Sequence, residues 1–370
     1  MKKIFFYISI TLFSISIKAQ VYKGNIQFKT QEELEEAFSS SGGLYNSIDI
    51  DGYIIIGDRS NRSNITSLSF FSKIRRIKEG VYIFNNPELQ SLRGLQALKS
   101  VSEIEITGNS GLKNLNGLEN LEQIESLCKI SHNTALVSLK GLQRLEKVGE
   151  FELFLNKSLK SCEGLEKLTT VKTNFSIDDN DELLNIEALN IKTIGNVLSI
   201  KNNNKLETLK GLEHIKILNN LIISGNSNIS TLKGLDNLKR IVKGGALLRG
   251  NDKLITMEGL HNLIEVDEYL DIWSNKSLQS LSALKNLKKV GGELHIAENH
   301  ILYDLQGLEN INQIGSLSIR ENNDLQDFCA LSIFFRSIAV EDFKKKFDIK
   351  YNKFNPSMSA LKTNHCILGR

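Results

Sequence analysis

The chain has 370 residues with 46 Lys and Arg, 43 Asp and Glu, six His, four Cys and two Pro. Lys2, Lys3 and Lys18 are the only charged residues among the first twenty, so beyond them 43 basic residues face 43 acidic ones. That balance argues against nucleic acid or an anionic membrane as the main partner, and two prolines argue against Pro-rich linkers.

The first predicted element is a signal peptide over residues 1–19. Met1-Lys2-Lys3 forms a basic head, residues 4–17 an apolar run too short to span a bilayer, and Lys18-Ala19-Gln20 an exit, with cleavage after Ala19. The other reading is a retained N-terminal anchor. No later apolar run is long enough to cross a membrane, so a soluble exported chain is expected, secreted or held at the cell surface.

Residues 20–65 read as an N-terminal cap with the first degenerate coils. Ile26-Gln27-Phe28 alternates as a strand. Thr30-Gln31-Glu32-Glu33 is a capping box opening an amphipathic helix whose Leu34 and Phe38 face inward. Degenerate coils follow at Tyr53-Ile54-Ile55-Ile56 and Phe71-Ser72-Lys73-Ile74, separated by a polar loop over residues 58–64.

Residues 66–330 are a repeat array. Asn86, Asn109, Asn133, Asn156, Asn180, Asn203, Asn226, Asn251, Asn275, Asn299 and Asn322 follow one another at steps of 23–25 residues. Eight residues after each stands a small residue: Gly94, Gly117, Gly141, Gly164, Ala188, Gly211, Gly234, Gly259, Ala283, Gly307 and Ala330. All length variation falls after the small residue, so half of each unit is rigid. Such a period marks a stacked solenoid. Alternating segments such as Ile104-Glu105-Ile106 and Leu270-Asp271-Ile272 precede the asparagines and predict one strand per coil, stacked in parallel about 4.8 Å apart. The asparagine turns the corner, its amide bonding backbone groups that the turn leaves unpaired. Leucines three and six residues on, as Leu112 and Leu115, line one inward side. Leu118, Leu121 and Ile124 line the next, and their spacing of three suits 3₁₀ or extended chain. The glycine permits a sharp bend or close coil-to-coil approach.

Residues 331–370 read as a C-terminal cap, with Phe334, Phe335, Phe343 and Phe347 as a hydrophobic lid over a core that would otherwise be bare. Cys329 and Cys366 stand at this end, where a bond closes a 37-residue loop. Cys128 and Cys162 occupy inward positions and read as small buried hydrophobes; a bond between them is the less favoured alternative.

The unit L-x-I-x-x-N-x-x-L-x-x-L-x-G-L-x-x-L-x-x-I resembles the receptor L domain, the leucine-rich-repeat relative found in insulin-receptor and EGF-receptor ectodomains, in its exported Bacteroidetes-type form. Residues 24–38 resemble the N-terminal cap of that family. Cys329, Tyr351-Asn352, Asn355-Pro356 and Cys366 resemble its C-terminal end. The resemblance implies a right-handed, single-stranded parallel β-helix of about twelve coils and a surface or secreted binding role. It implies no catalytic residues.

Candidate chemistry is sparse. The six histidines show no ligand spacing, so no metal or other cofactor is expected. Asp178-Asp179-Asn180-Asp181 reads as a solvated acidic turn rather than a calcium loop. Glu152 and Asp178, on neighbouring coils, are the acid pair of a runner-up reading, a β-helix enzyme acting on polysaccharide. A third reading is a purely architectural surface component. Two outward columns line the sheet, four and two residues before each asparagine. On them Trp273 stands with Arg249, Asp271 and His295, and with Phe154 and Leu247 expected nearby. Aromatic and arginine side chains on an open surface are enriched at binding hot spots, so this patch is the expected contact for an extracellular protein or glycan. The chain is thus expected to be a monomeric, non-catalytic binding or adhesion module.

Overall fold

The computed structural model describes residues 20–339, 343 and 346–369. The signal peptide expected over residues 1–19 lies outside them. The chain winds into a parallel β-solenoid of about twelve turns with little helix. Its main sheet runs from Ile26–Phe28 through Ile54–Gly57 and Gly80–Phe84 to Gln313–Arg320 and Phe347–Lys350, each strand paired in parallel with its counterpart one coil on. Register follows the repeat: Glu105 pairs Lys129, Glu152 pairs Ser176, and Asp271 pairs His295. Inward residues therefore stack on inward residues, and one continuous apolar core fills the coil from Phe28 to Leu361. A single coil could not hide its leucines; at roughly 1.5–3 kcal/mol per fully buried side chain, stacking is what makes the turns stable.

After the asparagine the chain advances by i→i+3 hydrogen bonds. Leu118 N–H donates to Leu115 C=O and Leu121 N–H to Leu118 C=O, so the three-residue leucine spacing is the period of this turn. One expectation needs correcting: each coil carries a second, narrow parallel ladder as well. Two-residue strands such as Ser100–Val101 and Thr170–Val171 stack along the third side, and Gln123–Ser131, Lys147–Phe154, Lys289–Ala297 and Gln313–Arg320 run round the corner to join both ladders. Two residues are too few to show period-two alternation in sequence.

The asparagines stand in file and fully buried. Asn109 N–H donates to Asn133 Oδ1 at 3.0 Å, while Asn133 Nδ2 donates to Ile106 C=O at 2.9 Å, so each amide clamps the backbone of the preceding coil. The corner itself is made elsewhere. The residue before each asparagine holds the left-handed conformation, including Asn85, His132, Leu155, Asp179 and Tyr351 at φ between 52° and 61°. That conformation suits asparagine or glycine and strains leucine. Leu155→Asn is expected to raise stability by about 0.5–1 kcal/mol. A lower urea midpoint would show that the packing of the half-buried leucine outweighs its backbone strain.

The glycine eight residues on meets both expected demands. Gly141 has φ 117°, and a Cβ there would lie 2.0 Å from Leu115 O. Where alanine replaces it, at Ala283 and Ala330, the corner becomes a 3₁₀ turn, Ser282–Leu284 and Cys329–Leu331. The glycine N–H is taken by the residue two further on, as Gly117 by Glu119 Oε1 at 2.9 Å and Gly164 by Glu166 Oε1 at 2.8 Å.

The ends also depart from expectation. Thr30 caps the helix Gln31–Phe38 by accepting from Glu33 N–H, but Glu33 Oε2 reaches past Thr30 to Lys29 N–H at 2.6 Å, so the capping box closes one residue early. The stretches around 53–56 and 71–74 are not two coils. Ile54–Gly57 is the strand and Ser69–Lys73 the 3₁₀ corner of one turn, with the 58–64 loop inserted between them. At the back, Phe334, Phe335, Phe343 and Phe347 meet edge to face at 5.1–5.8 Å, forming the expected lid. The ladder continues there by one more asparagine: Asn322 N–H donates to Asn352 Oδ1 at 3.0 Å, and Asn352 N–H to Asn355 Oδ1. The 30-residue step hides Asn352 from a 23–25-residue period. Cys329 and Cys366 are bonded, with Cα atoms 4.9 Å apart. Cys128 and Cys162 are free and buried. Burial pushes both thiols up, Cys162 to about 12, so neither is reactive in the folded chain.

Candidate sheet-face binding site

The outward columns stack as the repeat requires. In one, Leu247 pairs Asp271 and Asp271 pairs His295; in the other, Ser224 pairs Arg249 and Arg249 pairs Trp273. The Arg249 guanidinium lies over the Trp273 ring, its carbon 3.6 Å from the centroid. Beside this stack His295 Nδ1 lies 2.9 Å from Asp271 Oδ1. That hydrogen bond raises His295 above the ordinary imidazole value, against the opposing effect of burial. Arg249 is exposed, and no carboxylate pairs with it among the described residues. The pair Arg249–Trp273 and the pair Asp271–His295 thus form one patch with Leu247 at its edge.

Phe154 is not part of it. The pairing runs Phe154, Asp178, Lys201, Ser224, Arg249, so Phe154 stands four strands away, roughly 19 Å at the usual strand spacing. It packs instead beneath Lys129 Nζ, 5.3 Å from its ring centroid, and edge-on to His132. Spacing two columns correctly does not bring distant coils together; the rise per coil keeps them apart.

The acid pair stands on adjacent strands in different columns: Glu152 pairs Ser176, and Asp178, two positions along, pairs Phe154, which makes the two carboxylates diagonal neighbours on the outward face. Burial raises both carboxyls, with Lys129 opposing at Glu152 and Lys201 opposing at Asp178. Asp178 is held by Lys201 Nζ at 3.1 Å and by Ser199 Oγ at 3.2 Å. Along the same turn, Asp179 and Asp181 accept from the amides of Asn202 and Asn204 on the next coil.

At the N-terminal end the sheet is covered by a residue that sequence reasoning missed. Arg59, from the inserted loop, lies over Phe84 at 4.3 Å and donates to Glu105 Oε2 at 2.9 Å. Tyr82, between Tyr53 and Phe84, is pushed up to about 12, chiefly by burial and then by Glu103. Loop residues carry no periodic signal, so nothing in the sequence pointed Arg59 at the sheet. The aromatic residues there are roofed by the chain itself, whereas the Trp273 patch is open.

Fold and site together define a leucine-lined parallel β-solenoid with an asparagine ladder and an open sheet face. No protein-family model and no curated protein matches the chain. Among solved structures, the complex of TLR13 with ssRNA13 aligns over 83% of this chain and 63% of that one, at 13% identity and a TM-score of 0.24. The chain therefore spans less than two thirds of that protein's length, and nothing about the site follows from so distant a likeness. Among the described residues no helix is long and apolar enough to cross a membrane.

Proposed function

We propose that this chain is an exported, receptor-L-type binding or adhesion module, secreted or displayed at the cell surface, that is non-catalytic and needs no cofactor. Its ligand is an extracellular protein or glycan met by the open sheet around Trp273, Arg249, Asp271, His295 and Leu247. The observation that carries the reading is the exposed Arg249 guanidinium, stacked on Trp273 and, among the described residues, without an acid partner on the outward face of the sheet. Tryptophan and arginine are the residues most often found to dominate binding energy. The Cys329–Cys366 bond supports export, since disulfides persist in oxidising compartments.

Trp273 is the only tryptophan, so its fluorescence reports on this patch alone. Screening glycan and protein arrays and titrating each hit against the emission is expected to show a change on binding. Trp273→Ala and Arg249→Ala are each expected to weaken that binding by about thirtyfold, the effect of a 2 kcal/mol hot spot. A proven ligand that leaves the emission and both variants' affinities unchanged overturns the assignment. A polysaccharide-acting enzyme is the second reading, favoured by the raised carboxyls of Glu152 and Asp178. It requires reducing-end release that Glu152→Gln abolishes.

A further inference from the structure

On the third side of the coil, away from the sheet face, a shallow groove of about 320 Å³ lies between two turns, lined by Lys192, Thr193, Ile194, His214, Lys216, Ile217 and Asn219. Its charges are all of one sign. Two other grooves contain carboxylates: Lys99 and Lys147 with Glu122 and Glu146 in one, Arg76 and Lys78 with Asp49 and Asp51 in another. Several lysines elsewhere are neutralised by a carboxylate on a neighbouring coil, as Lys140 with Glu163, Lys205 with Glu182, Lys233 with Glu258 and Lys276 with Asp252. Among the described residues Lys192 and Lys216 have no such partner, nor does Lys239, which continues the file one coil on through a backbone bond to Lys216 C=O at 2.9 Å. Arg240, next to Lys239 in the chain, is taken by Glu265.

Three ammonium groups whose backbones repeat at about 4.8 Å make a local run of positive charge, which a polyanion laid along the file neutralises. We infer that this file is a binding site for a linear acidic polysaccharide lying along the solenoid axis. A polymer with one anionic group on each sugar meets one lysine per coil. Ile217, 44% exposed, and Thr193 give its rings an apolar floor, and the Asn219 amide and His214 stand beside it as hydrogen-bonding groups. The site shares no residue with the sheet-face patch and stands whether or not that patch binds anything.

The test measures binding of polygalacturonate and dextran sulfate to the whole protein by calorimetry at low and moderate salt, with neutral dextran and polyglutamate as comparisons. Binding of an acidic polysaccharide is expected, weakening as salt rises and lost with neutral dextran. Each of Lys192→Gln, Lys216→Gln and Lys239→Gln is expected to weaken it up to about fivefold, and the triple variant on the order of thirtyfold or more. A control triple at the paired lysines Lys140, Lys205 and Lys276 is expected to leave affinity unchanged. Binding that survives the file's triple substitution, no binding of either acidic polysaccharide, or preference for polyglutamate overturns the inference. Circular dichroism of the surface variants separates loss of binding from loss of fold.

Discussion

Asn203→Ala is expected to lower the stability of the folded chain by about 3–5 kcal/mol. Asn203 Oδ1 accepts the N–H of Asn180 at 3.1 Å, and its Nδ2 donates to Ile177 C=O at 2.8 Å and Lys201 C=O at 3.0 Å. The site is fully buried, so water cannot replace the amide, and each orphaned backbone group costs about 1–3 kcal/mol. Alanine also leaves a hole between two coils. Asn86 supplies the internal control. It opens the ladder, its Oδ1 accepts nothing, and it donates to Ile56 C=O at 3.1 Å, so Asn86→Ala is expected to cost about 1–2 kcal/mol. Urea unfolding followed both by far-ultraviolet dichroism and by Trp273 emission measures the difference. Coincident transitions license the comparison, because long repeat arrays can lose cooperativity. If Asn203→Ala is no more costly than Asn86→Ala, the ladder is an ornament of the fold rather than its clamp.

The second large effect is expected at the far end. Replacing Cys329 and Cys366 together by serine is expected to cost about 4 kcal/mol, the chain-entropy value for a loop spanning 37 residues. The loop contains the aromatic lid, the last sheet strand Phe347–Lys350 and Asn352, which accepts from Asn322 and so ends the ladder. Phe328 N–H donates to Cys366 C=O at 2.8 Å and Leu368 N–H to Gln326 C=O at 3.1 Å, so without the bond the chain end is held by these backbone ties and by the buried Met358 and Leu361. Limited proteolysis is therefore expected to cut first within residues 331–370 of the double variant, with the solenoid before Ala330 surviving. Cleavage appearing instead throughout the repeats would show that the cap holds the entire stack and not only its end. Because burial keeps Cys128 and Cys162 as unreactive thiols, iodoacetamide labelling of the folded parent protein is expected to find no free cysteine.

The sheet-face reading stands differently from the fold. Which residues share a column was readable from spacing alone, since a register of one residue per coil follows from a rigid half-repeat. Trp273, Arg249, Asp271 and His295 are neighbours for that reason. Contacts within the patch were not readable: that Arg249 lies on Trp273 while Asp271 turns to His295 depends on rotamers chosen among several near neighbours. Phe154 shows the limit of the same reasoning, because belonging to one column says nothing about proximity along it.

By itself, the sequence determined the solenoid, its period, the buried column of asparagines, the inward leucines and the glycine corners. The asparagine recurs in eleven units and the corner glycine in eight of them, and each follows from local chemistry that the copies satisfy in the same way. Only the tertiary structure decided the rest: the left-handed residue beside each asparagine, which many residue types occupy and which therefore leaves no signature; and single events, namely Asn352 joining the ladder after a long insertion, Arg59 folding over Phe84, and the groove of Lys192 and Lys216 lined without a carboxylate. A periodic core averages many weak signals into one strong one, whereas a loop, a cap or a charge on the surface is a single event set by which distant side chain arrives there first.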